Sequence, residues 1–207
     1  DGDAHYRIHA PARFMGLIDG VVCVDVHFHH HLLPMLAEKA DVLVLQFFSD
    51  WDLIPLLSMR KKLSKITIFE ANDFFFDLQP WNPIARSWQD PEIQELYMQL
   101  LRLSDGVQTS TAYLAEQWRS MGASKVEVFP NQLVHLRALP EIVERPFTVG
   151  WAGSPGHFAD LYHVAPYLQN WLNAHPDTHL AIMTNELAME FFHLDPSRFH
   201  FKPFGSI

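Results

Sequence analysis

Two stretches of this sequence hold residues whose types and spacing could do chemistry. The first is 147–161, FTVGWAGSPGHFADL. Its apolar run over 147–151 predicts a buried strand, and Gly153-Ser154-Pro155-Gly156 is a turn built of residues that permit tight backbone geometry. Leu161, Val164, Ala165 and Leu168 then fall at helical spacing. Strand, glycine turn and helix in that order are how open α/β sheets present backbone N–H groups to a phosphate. The stretch is not a GxGxxG fingerprint, and no GxxxxGK[ST] loop occurs in the chain. Many strand-to-helix turns of this composition bind nothing, so a phosphate cradle and a plain turn both stand at this point.

The second stretch is 21–31. VVCVDVHF predicts a strand over 21–28 from its β-branched content. Alternation puts Val22, Val24, Val26 and Phe28 on one face and Cys23, Asp25, His27 and His29 on the other. His27, His29, His30 and His31 form the densest histidine cluster in the sequence. Two imidazoles at alternate strand positions point the same way, which makes a metal platform. VDVHFHHHLLP resembles the first motif of amidohydrolase and PHP-type metal phosphoesterases. Those families need further ligands on later strand ends, and His135, His157, His163 and Asp73 do not assemble such a set. A His-cluster metal-dependent hydrolase therefore stays a minor alternative.

The elements that must position these residues alternate strand and helix along the chain. A helix is predicted over 12–18, with Pro11 tolerated at its first turn, and Tyr6, Arg7 and Arg13 lie near its start. Those three read equally as a solvated first turn or as a ligand-contacting loop. A short helix over 32–39 precedes ADVLVLQF, 40–47, an apolar run expected to be buried on both faces of a parallel sheet. A helix over 51–63 ends in Arg60-Lys61-Lys62, suited to the negative end of a helix. The strand KITIFE, 65–70, leads into Ala71-Asn72-Asp73 and three phenylalanines. A polar loop over 80–91 carries Trp81 and Trp88. The helix over 92–104 has one stripe, Ile93, Leu96, Tyr97, Leu100 and Leu101, that reads as core. A strand over 106–109, a helix over 112–121 capped by Ser110-Thr111 and ended by Gly122, and a strand over 125–129 follow. Pro140 and Pro146 mark a linker. Beyond it come a strand over 147–151, a helix over 160–174, a strand over 179–183, a short helix over 186–192 and a strand over 199–202. This rhythm predicts α/β architecture with parallel sheets and right-handed crossovers.

Composition narrows the function classes. The formal charge is -9, from 15 basic and 24 acidic residues, which disfavours a broad nucleic-acid face. The single Cys23 excludes an internal disulfide, fits a reducing setting, and reads as a small buried hydrophobe. No run is apolar for long enough to cross a membrane as a helix, and no signal-peptide pattern occurs. The chain begins at Asp1 rather than Met and stops soon after a strand, which reads as a piece of a larger enzyme.

Taken together, the segments resemble the retaining group 1 (family-four-like) glycosyltransferases of the two-domain GT-B fold. YRIHAPAR is similar to their N-terminal YRI…PA segment, and ADVLVLQ with KITIFEANDFFFDL to their paired strands and acidic stretch. SDGVQTSTAYLAEQWRSMG, KVEVFPN and VGWAGSPGHFADL resemble three further segments in the same order. The resemblance implies two Rossmann-like parallel-sheet domains, the second one incomplete: an acceptor domain over 1–134, a linker over 135–146 and the start of a donor domain over 147–207.

It also implies a reaction, transfer of a sugar from a nucleotide-sugar donor to an acceptor hydroxyl with retention. The donor would lie in the cleft between domains, its diphosphate at Gly153, Ser154 and Gly156, with His157 lending a hydrogen bond. Asn72 and Asp73 would orient the acceptor hydroxyl as the catalytic pair. Tyr6 and Arg7 would line the acceptor side. No cofactor and no metal is implied, since the nucleotide-sugar is a substrate. The acceptor would be a glycan, a lipid-linked sugar or a protein. The setting would be cytoplasmic, with room for peripheral membrane association of the full enzyme. Two features depart from the family: the GSPGH loop carries no Arg or Lys, and the acidic donor-binding segment is missing before residue 207. A non-catalytic carbohydrate- or nucleotide-binding module is the corresponding alternative.

Overall fold

The computed structural model describes residues 2–46, 50–80, 82, 84–133, 138 and 144–205. Phe47, Trp81, His135, Pro140 and most of the expected linker lie outside the described residues. The chain divides into two compact units, Asp1–Leu78 with Ser87–Arg137, and Gln79–Arg86 with Ala138–Ile207. Each is α/β, built on a parallel sheet, as the strand–helix rhythm predicts.

The first unit opens with a continuous helical run: α1 (Gly2–Ala4), a π-helical turn (His5–His9) and α2 (Ala10–Met15). Its sheet is β1 (Val42–Gln46), β2 (Ile66–Glu70), β3 (Gly106–Thr109) and β4 (Val126–Val128), in that spatial order and all parallel. α3 (Leu33–Lys39) precedes β1, and between the strands run α4 (Leu53–Lys62), α5 (Ala85–Trp88, its first two residues counted with the second unit), α6 (Pro91–Leu103) and α7 (Ala112–Ser120). Local chemistry sets the helix limits. Asp90 accepts a hydrogen bond from the Glu92 N–H and Pro91 opens α6. Thr111 caps α7 by accepting from the Leu114 N–H. Gly122 ends α7 at φ +99°, where a side chain would be strained.

The predicted stripe of α6 is the centre of the core. Leu96, Tyr97, Leu100 and Leu101 are buried against Leu53 and Leu57 of α4, Phe69 of β2, Val107 of β3 and Trp118 of α7, with Ile93 half-buried at the edge. Each such side chain contributes about 1.5–3 kcal/mol by leaving water.

The second unit has β5 (Thr148–Ala152), β6 (His179–Thr184) and β7 (Phe199–Pro203), again parallel and in sequence order. The helix α8 (Phe158–Ala174) covers one face, with Leu161, Ala165 and Leu172 against Leu180 and Ile182. It continues through Pro166. The alternate residues Thr148, Gly150 and Ala152, His179, Ala181 and Met183, and His200 and Lys202 share the other face and are half-buried or exposed.

Several sequence expectations need correcting. The helix predicted over 12–18 ends at Met15 and continues a run that starts at Gly2, so Tyr6 and Arg7 lie inside that run rather than at its start. Residues 21–28 form no strand, and Val22 and Val24 are 89% and 61% exposed. β-branched residues favour a strand through cross-strand packing and burial, and among the described residues no strand pairs with this segment. Cys23 is exposed, not buried. β1 lies at the edge of its sheet, so Val42 and Val44 are exposed rather than buried on both faces. Arg60 does not answer a helix end from solvent. It is fully buried and donates to the carbonyls of Ala37, Ala40 and Ile66 and to Thr67 Oγ1.

No described helix is long and apolar enough to cross a membrane.

Candidate functional site

In the first unit, chemistry gathers where β2, β3 and β4 end. Beyond Glu70 the chain is held by the Ala71 N–H donating to Gln108 O at 2.9 Å and by Thr109 Oγ1 donating to Ala71 O at 2.6 Å. That anchor delivers Asn72, half-buried, and Asp73, exposed. The Asn72 amide is a long 3.5 Å from Asp73 Oδ2. Tyr6 is exposed, with its ring edge-on to His5.

Arg7 is placed differently from the acceptor-lining role expected of it. Its guanidinium is buried in a bidentate pair with Glu70, Nε to Oε1 at 2.7 Å and Nη2 to Oε2 at 3.0 Å. The same guanidinium donates to the Phe129 carbonyl and, at 3.1 Å, to Asn131 Oδ1. One side chain from the N-terminal helical run thus ties together the ends of β2 and β4. Burial pushes the Glu70 carboxyl above its ordinary range, and the Arg7 charge pulls it back. The sequence carried a signal for this pair, because an acid in an otherwise apolar strand must find a cation or a hydrogen-bond donor. The partner, 63 residues away, had no such signal.

In the second unit, β5 runs into Gly153-Ser154-Pro155-Gly156 as the spacing predicts. The Gly153 N–H donates to Met183 O at 3.0 Å, and the His157 N–H donates to Ser154 O at 2.9 Å. Pro155–His157 form one 3-10 turn, and α8 starts at Phe158. Gly153 sits in a tight place: a Cβ there would stand 3.1 Å from His157 Cβ and 3.3 Å from Trp151 Nε1, so those side chains would have to give by a few tenths of an ångström. A Cβ at Gly156 would lie 3.6 Å from Ser154 Oγ and 3.9 Å from Asn82 Nδ2. His157 Nδ1 is 3.0 Å from Asp160 Oδ2, one turn into the helix. That contact favours a proton on Nδ1, which in the neutral ring makes Nε2 an acceptor.

Two residues of this loop's surroundings escaped sequence reasoning. The Trp151 indole N–H is buried and has no hydrogen-bond partner among the described residues. An indole nitrogen can only donate, and a buried donor left unpaired costs about 1–3 kcal/mol. An acceptor atom at the loop would relieve that cost. Asn82 comes from a segment some seventy positions earlier in the sequence, and only folding brings its amide to Gly156. The loop therefore gathers a hydroxyl, an amide and an indole N–H around a helix start. These groups suit an oxygen-rich anion.

The histidines at 27–31 do not form the metal platform expected of a strand end. The His29 N–H and the Leu32 N–H donate to His27 Nδ1 and His30 Nδ1, each at 3.3 Å, within local turns. The rings of His30 and His31 stack on each other. Among the described residues no three metal-capable side chains converge anywhere.

No protein-family model matches this sequence, and neither does any curated protein. Several solved structures overlay in part. The S. aureus MnaA–UDP co-structure aligns over 83% of this chain and 51% of its own, at 13% identity and a TM-score of 0.48. A UDP-N-acetylglucosamine 2-epimerase candidate from Listeria monocytogenes covers 89% of this chain and 56% of its own, at 12% identity and a TM-score of 0.47. The Gap123 glycosylation-associated protein complex from Streptococcus agalactiae covers 78% and 33%, at 12% identity and a TM-score of 0.44. The chain spans about half the length of the first two. Likenesses of this size carry no argument about chemistry.

Proposed function

We propose that the chain belongs to a sugar-nucleotide-dependent glycosyltransferase of GT-B type that moves a sugar from its donor to an acceptor hydroxyl with retention. The observation that carries the reading is the loop after β5. It combines Gly153, where a side chain would fit only tightly, with an unpartnered buried indole N–H and the start of a seventeen-residue helix. Fixed N–H groups and a helix start stabilise a diphosphate as negative charge builds on it during transfer. In this reading Gly153, Ser154, Gly156 and His157 form the donor-diphosphate site: Gly153, whose N–H is taken by Met183 O, lets the diphosphate approach the backbone closely, Ser154 and Gly156 donate to it, and His157 does so when Nε2 also carries a proton. Asp73 and Asn72 orient the acceptor hydroxyl, and Tyr6 borders the acceptor. Arg7 acts at one remove, by fixing the strand ends that carry Asn72 and Asp73. The donor is a substrate, so the reaction needs no resident cofactor, and the acceptor is a glycan, a lipid-linked sugar or a protein. The working place is the cytoplasm.

Calorimetry with a panel of UDP- and GDP-linked sugars tests this. The expected result is saturable binding of at least one of them, weakened at least about tenfold by Gly153→Trp or Ser154→Trp. A tenfold change is about 1.4 kcal/mol, well within what a blocked diphosphate contact would remove. Absence of binding across the whole panel sinks the reading.

A further inference from the structure

A pair of imidazoles on the open face of the second sheet is independent of the loop described above. His179 opens β6, and His200 is the second residue of β7. The register sets Ala181 opposite His200, so His179 stands one pleat away on the same face of the neighbouring strand. His179 Nδ1 and His200 Nε2 lie 2.9 Å apart, with the rings tilted by 31° and their centroids 5.2 Å apart. His179 is half-buried and His200 exposed.

We infer that His179 and His200 form a two-histidine chelate for a divalent transition metal ion, Cu(II) foremost and Ni(II) after it. Neutral imidazole nitrogen suits both ions, and affinity for first-row divalent ions rises to a maximum at Cu(II). Without the ion, one ring donates its N–H to the other. To bind it, the hydrogen between the rings moves to the outer nitrogen of the same imidazole, and both lone pairs turn toward the ion. No proton leaves the neutral pair, and water completes the coordination. The strand ladder holds the two backbones in place, so only side-chain rotation is required.

Other histidines are placed differently. His9 pairs with Asp25, His157 with Asp160 and His175 with the Trp171 carbonyl. His27 Nδ1 and His30 Nδ1 face backbone N–H groups.

The test is titration of the whole chain with CuCl2 and NiCl2, followed by calorimetry and, for copper, by electron paramagnetic resonance. It is repeated on His179→Ala, on His200→Ala, and on a control with His27, His29, His30 and His31 all changed to Ala. The expected result is one ion per chain with two-nitrogen splitting. Affinity should fall at least about thirtyfold in each single variant and hold in the fourfold control. Circular dichroism confirms that the variants fold, and His200→Gln replaces His200→Ala if that variant does not. Undiminished binding in both single variants, or loss confined to the fourfold control, overturns the assignment.

Discussion

Replacing Arg7 with alanine should destabilise the protein in a way that depends on pH. The Glu70 carboxylate is fully buried, and Arg7 gives it two hydrogen bonds and its counter-charge. Removing the cation strands the acid in a medium that solvates charge poorly. Breaking a buried pair in this way costs about 3–5 kcal/mol, a large share of the roughly 5–15 kcal/mol that holds a typical domain together. The sign of the pH effect follows from Glu70. Burial already raises the carboxyl above its ordinary value of 4.5, and Arg7 opposes the rise. Without Arg7 the folded-state value climbs further. A carboxyl with a raised folded-state value holds its proton more tightly in the native state than in the unfolded chain. Its contribution is full below the unfolded value and is lost as pH rises through the folded value. The Arg7→Ala penalty should therefore be smallest near pH 4 and grow toward pH 7. Guanidinium denaturation of wild type, Arg7→Ala, Glu70→Gln and the double variant at pH 4, 5, 6 and 7 measures it. The double variant should lose most of the pH dependence, because no buried charge remains. A penalty under about 1 kcal/mol at pH 7, against the 3–5 expected for a broken buried pair, or an equal penalty at pH 4 and pH 7, would refute the reasoning.

Variants at two more buried polar groups follow. Trp151→Phe removes the unpartnered N–H while keeping an aromatic ring, so stability should hold or rise by up to about 1 kcal/mol, and nucleotide-sugar affinity by calorimetry should fall at least about tenfold. A loss of stability with unchanged affinity would show that the indole serves packing alone. Arg60→Ala leaves the Ala37, Ala40 and Ile66 carbonyls without their shared donor and should cost at least about 3 kcal/mol in chemical denaturation. Arg60→Lys should recover little of it, because a single ammonium cannot span the positions a planar guanidinium reaches; full recovery by lysine would contradict that account.

Sequence alone determined the alternation of strands and helices, the parallel sheets it requires, the buried stripe of α6, and the strand–turn–helix around Gly153. These follow from periodicity and turn chemistry, which act between residues close along the chain. The tertiary structure decided what depends on distant partners. Residues 21–28 carry strand propensity but pair with no strand among the described residues, and Val22 and Val24 face solvent. ADVLVLQF has the composition of a central strand, yet its place at the sheet edge exposes Val42 and Val44. Arg7 and Arg60 look like surface cations in sequence, and each is drawn inside by acceptors that folding assembles: Glu70 and Asn131 for one, a ring of carbonyls for the other. Asn82 reaches Gly156, and His179 meets His200, for the same reason. A hydrogen bond or an ion pair is fixed by distance in space, and the order of residues along the chain encodes that distance only through the whole fold.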